Sequence, residues 1–170
     1  MNAYLLSLCY GTFVLLLVAA AVADTVSFTI PNAIPAALIL LFPVAAAFSP
    51  GPADWTGRLG AAALVFVAGL LAFRLKLFGG GDVKLWSAAA LWAGLDLLVA
   101  QVILTAALGG LLALLLLIAR ESAGRVAKLK GSPEHAPSCP RILTAGAPVP
   151  YGIAIALSSI LLSQRPGFLP

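Results

Sequence analysis

The sequence predicts an all-α, polytopic membrane protein, and three observations predict it. Hydrophobic residues make up 62% of the 170 and charged residues only 9%. The apolar residues fall in long uninterrupted runs rather than at amphipathic spacing, as expected of a chain solvated by lipid. Clusters of Pro, Gly and Asn separate the runs, where they break helices. A soluble domain of this length needs a polar face on nearly every helix, and too few polar residues are present to build one.

Six spans follow, at about 3–23, 33–48, 59–78, 83–94, 97–119 and 149–163, in a single domain covering 1–170 without internal repeats. The first ends in Ala21-Val22-Ala23, which has the small-x-small form of a signal-peptidase site. No Lys or Arg precedes Arg58, so the basic n-region of a cleaved leader is missing and the run reads as a helix that stays. The second span begins after Pro31 and Asn32, with Asn32 suited to the N-cap and Pro35 tolerated in the first turn. Pro50-Gly51-Pro52 precedes the third, Gly79-Gly80-Gly81 the fourth, and Pro148 with Pro150 the sixth. At ~1.5 Å per residue the second reaches roughly 24 Å and the fourth roughly 20 Å, short of a hydrocarbon core of about 30 Å. The start of the fourth is therefore expected below the membrane surface, with Gly79 to Asp82 in a recess lined by water or protein.

The net charge is +4 and the isoelectric point about 9.4. These basic residues lie between apolar runs, so they read as topology signals and not as a nucleic-acid surface. Eight of the ten Lys and Arg fall in the turns at 24–32, 74–84 and 120–148, and Arg58 and Arg165 fall on the other side. That split places the first set in the cytoplasm and both termini in the periplasm. Cys9 sits in the first apolar run, Cys139 in a polar segment and the one histidine, His135, in a Pro-containing loop. They cannot assemble a zinc site or a disulfide framework, and no metal or organic cofactor is expected.

Asp54 and Asp96 fall in the outer turns, and Glu121 and Glu134 in the basic loop, where a charge is ordinarily just solvated. Asp24 and Asp82 differ, because each abuts a span on the same predicted face, and an ionisable group at membrane depth points to function. Two plainer roles compete. Asp24 can be an interfacial charge, although a helix C-terminus disfavours an anion. Asp82 can be an N-cap after a flexible glycine turn. A phosphate loop is a weak alternative, since the GxxxxGK[ST] spacing is absent.

Asp24 with the downstream Ile30-Pro31-Asn32, the run Gly79-Gly80-Gly81-Asp82-Val83-Lys84-Leu85, and Pro150-Tyr151-Gly152 before the last span together resemble the type IV prepilin peptidases. These are membrane aspartic proteases that share a GxGD motif with the presenilins, and the resemblance covers the whole chain. It implies catalytic roles for Asp24 and Asp82, supporting or substrate-binding roles for Gly79, Gly80, Gly81, Lys84, Pro31 and Asn32, and prepilin and pseudopilin precursors as substrates. It also implies a multi-pass protein of the bacterial inner membrane with its active site near the cytoplasmic face. Larger members carry a cytoplasmic insertion with paired cysteines and methylate the new pilin terminus. This chain has neither the extra length nor those cysteines, so it resembles the short, peptidase-only form of tight-adherence pili, and methylation is not expected of it.

Two carboxyls that share one proton supply both the base and the acid that peptide hydrolysis needs. A helix C-terminus favours the protonated carboxyl and an N-terminus the ionised one, which would make Asp24 the acid and Asp82 the base. The glycines would let a substrate backbone approach and keep the loop mobile. Lys84 either steers an acidic residue of the substrate or marks the membrane boundary. Trp86 and Trp92 either flank the site or anchor the helix at the interface. A non-catalytic pilus-assembly or transport component stands as the reading from another class, with the aspartates as an ion path or polar contact. An archaeal preflagellin peptidase is a rival within the same class.

Overall fold

The computed structural model describes residues 1–129, 141–144 and 146–168, and among them there are helices and no strands. The elements are α1 (Asn2–Ser27), α2 (Ala33–Phe48), α3 (Trp55–Arg74), α4 (Gly80–Leu129), a 3-10 turn (Arg141–Leu143) and α5 (Tyr151–Leu162). Three helices are long and apolar enough to cross a membrane, namely α1, α3 and the 80–125 part of α4, while α2 and α5 are apolar but shorter. Glu134, His135 and Cys139 lie outside the described residues.

α1 runs through Ala21-Val22-Ala23 without a break and ends at Phe28, whose left-handed backbone (φ 53°) turns the chain sharply. Its buried stripe is Cys9, Phe13, Leu17, Ala20 and Asp24, spaced three or four residues apart, so Asp24 continues the core-facing side. Leu8, Leu15, Val18, Val22 and Val26 stand exposed on the opposite side, where lipid would solvate them. Asp24 had been expected to end the span; the helix instead continues one turn past it.

α2 has the bounds read from the sequence, and Pro35 sits in its first turn. Asn32 occupies the cap position yet its side chain makes no cap bond. α3 starts at Asp54, whose carboxylate accepts the Gly57 amide at 3.0 Å and the Thr56 hydroxyl at 2.8 Å. The Gly57 amide and then the Thr56 hydroxyl hold that carboxyl below its ordinary pKa.

α4 is not one rod. At Gly94 the backbone (φ 69°, ψ 178°) leaves the helical region and divides it into limbs 80–93 and 95–129. Unbroken, its 50 residues would reach about 75 Å, far beyond a bilayer. Arg58 packs into this break. Its guanidinium donates to the carbonyl oxygens of Trp92 and Phe168, and to that of Gly167 at 2.9 Å. The sequence reads Arg58 as a topology signal on the outer side; the structure adds that it is only 7% exposed, because the break and the C-terminal turn offer carbonyls that no helix satisfies.

Trp92 is fully buried rather than interfacial. Its ring lies 4.5 Å from Phe13 and 5.6 Å from Phe42, and its indole N–H donates to the Leu38 carbonyl at 3.1 Å. Phe168 closes the cluster at 5.5 Å from Phe13. The second limb of α4 joins α5 through Thr105 with Ser158 (2.7 Å) and Gln101 with Ser159 (3.2 Å), side-chain bonds that favour helix association in an apolar medium.

Candidate active site

Asp24 reaches the site from α1, Asp82 from the first turn of α4, and Gly152 from the first turn of α5. Asp24 is 5% exposed, and its Oδ2 accepts the Gly152 amide at 2.7 Å. A helix start leaves such amides without intrahelical acceptors, and α5 presents this one to the carboxylate. Gly152 is also sterically required, since a Cβ there would stand 2.9 Å from Asp24 Oδ2 and 3.0 Å from its Cβ.

Asp82 is half-buried and is the third residue of α4, not its cap. Its Oδ2 reaches back to the Gly79 amide at 3.2 Å, the carboxylate half of a capping box. Gly80 and Gly81 are helical, and none of the three glycines has a positive φ, so the expected flexible glycine loop is absent. The need at Gly81 is close approach: a Cβ would lie 3.2 Å from that of Ile30.

Ile30 ties the two halves together. It is 8% exposed, lies against Gly81 beside Asp82, and its Cδ1 would meet a Cβ on Gly152 at 3.2 Å. A second link is aromatic. Phe78, just before the glycines, packs edge-on to Tyr151 at 4.8 Å and against Trp86 at 5.7 Å, so Trp86 flanks this region. The carboxyl of Asp82 thereby falls within the Coulomb field of Asp24.

Lys84 and Asn32 are joined as well, with the ammonium donating to Asn32 Oδ1 at 2.8 Å. Both line a groove of about 240 Å3 with Pro35, Ala36, Ile39, Phe66 and Ser87. Pro31 is exposed, and its carbonyl accepts the Ile34 amide at 3.0 Å. Among the described residues no three His, Cys, Asp or Glu side chains gather as a metal-donor set.

The structure thus places Asp24 and Asp82 with the glycines, and joins Asn32 to Lys84 in a separate groove that neither aspartate lines. It adds Ile30 and the Gly152 amide. Both carried a signal, Gly152 in Pro150-Tyr151-Gly152 and Ile30 in Ile30-Pro31-Asn32, but neither run says which atoms it brings to the carboxyls. Each carboxyl now faces a helix start, so the helix-end asymmetry expected between Asp24 and Asp82 does not separate them.

Neither a curated protein nor a solved structure matches the chain significantly. The family model described as "Type IV leader peptidase family" matches residues 11–114, a stretch that contains Asp24, Asn32, Asp82 and Lys84. With helices fit to cross a membrane and a family match over more than half its length, this integral membrane protein belongs to the type IV leader peptidase family and is by that membership a protease.

Proposed function

We propose that the chain is an aspartic endopeptidase that removes the leader from type IV-like prepilins and pseudopilins of tight-adherence pili. Its catalytic pair is Asp24 and Asp82, and it acts at the cytoplasmic face of the bacterial inner membrane. The observation that carries this reading is that Ile30 packs between the Gly81 beside Asp82 and the Gly152 that binds Asp24, so two acidic residues from distant helices lie within electrostatic reach in one partly buried region. Isolated charges at such depth are costly, so a fold that gathers two of them has a use for both. With one proton between them, the ionised carboxyl takes a proton from water as it attacks the scissile carbonyl, and the protonated one donates to the departing amine. Apparent titrations would belong to the pair.

The test is coexpression with a candidate prepilin, reading leader removal by mobility shift and N-terminal sequencing. Asp24→Asn and Asp82→Asn should each lower cleavage by at least about a thousandfold while the protein still inserts, and the double variant should be scarcely worse. Near-normal cleavage by either single variant would move the assembly-component reading ahead.

A further inference from the structure

Asp24 and Asp82 sit on helices with no direct covalent link shorter than α2 and α3, so something must fix their separation. The strap at 28–32, which leads out of α1, is fastened to the start of α4 by two contacts. One is Ile30 against Gly81, and the other is the 2.8 Å bond from Lys84 Nζ to Asn32 Oδ1. Residues two apart on a helix do not face each other, so Lys84 is directed away from Asp82 and toward the strap. Asn is a favoured N-cap, yet Asn32 makes no cap bond for α2 and spends its side-chain oxygen on Lys84. A local preference is given up for a tertiary contact that spans 52 residues.

We propose that Lys84 and Asn32 are a positioning pair that holds the strap after Asp24 against the helix that carries Asp82. This rests on the reading of those two aspartates as the catalytic pair. The charge-assisted bond sets the approach of the two carboxyls without touching the reacting atoms. Lys84 therefore acts through the geometry of the pair, and not by attracting an acidic residue of the substrate.

The experiment measures kcat and KM on a purified prepilin for Asn32→Ala, Lys84→Met, their double variant and Asn32→Asp, each checked for its melting temperature in detergent. Asn32→Ala and Lys84→Met should each lower kcat about tenfold with KM within about twofold, since misplacement of reacting groups costs turnover more than binding. The double variant should match the worse single one, as expected for two ends of one bond. Asn32→Asp keeps an acceptor and should retain most of the activity. A raised KM with unchanged kcat in Lys84→Met would show that the ammonium meets the substrate, and would overturn the proposal. Multiplying losses in the double variant, or unchanged kcat in both singles, would overturn it too. Asp24→Asn and Asp82→Asn run beside these variants: their survival would sink the catalytic pair, whereas their loss with an unaffected Lys84→Met would sink only the positioning pair.

Discussion

Gly152 gives its amide to Asp24 and withholds a side chain from it. A methyl group at this position would press on Asp24 Oδ2 and Ile30 Cδ1, which can swing away, and on Asp24 Cβ at 3.0 Å, which moves only with its helix. Gly152→Ala should therefore still fold but with a lowered melting temperature in detergent, as α5 shifts from Asp24 Cβ, and should cleave prepilin roughly 10- to 100-fold more slowly, since about 1 Å of misplacement has that effect. A variant that cleaves at the wild-type rate would show that the Asp24 carboxyl needs no fixed position. The acidic residues at the other end make the contrast. Asp54 caps α3 with its side chain, and Asn caps a helix about as well; Asp96 is exposed. Asp54→Asn and Asp96→Asn should both process prepilin almost normally in the mobility-shift assay, and a loss as deep as that of Asp82→Asn would place the chemistry at the wrong end.

At the scale of elements, the division of α4 depends on Gly94 and on the buried cation beside it. The Gly94 conformation is one that only glycine adopts readily, so Gly94→Ala should destabilise the protein by about 1–3 kcal/mol. Arg58→Met should cost more, about 3 kcal/mol or above, because the carbonyls of Trp92, Gly167 and Phe168 all lose a donor in the interior. Thermal unfolding in detergent checks both, and an Arg58→Met protein as stable as the wild type would refute the clamp. Much of this level was legible in the sequence. α2 is bounded by Asn32 and by Pro50, and its limits were readable for that reason. The boundary near residue 94 was also readable, though as a turn around Asp96 rather than a break in a continuous helix. The inward course of Arg58 was not legible, because its acceptors exist only once the break and the C-terminal turn have formed. Asp24 and Asp82 stood out as charges beside apolar runs, and Ile30 in the Ile30-Pro31-Asn32 run, but its place between Gly81 and Gly152 exists only once the chain after α1 has folded back.

For the whole molecule, the two ends differ in chemistry. One holds Asp24, Asp82, Asn32 and Lys84; the other holds Arg58, within the Coulomb fields of Asp54 and Asp96. If the Lys and Arg distribution sets orientation, the first end faces the cytoplasm. In a background without the native cysteines, a cysteine at position 53 should then react with a membrane-impermeant thiol reagent in intact spheroplasts, and one at position 130 should not. The reverse labelling would put the aspartates on the periplasmic side. The Arg58 clamp also bears on how the chain is made. Its acceptors at Gly167 and Phe168 lie 109 and 110 residues downstream, which at about 5–20 residues per second is roughly 5–20 s of translation. Until they emerge, the guanidinium has a core to enter but incomplete partners within it. The ribosome can therefore deliver α3 to the bilayer early, while the final assembly of the helices waits for residue 168, and nascent chains released before that point should be the ones that quality-control proteases remove.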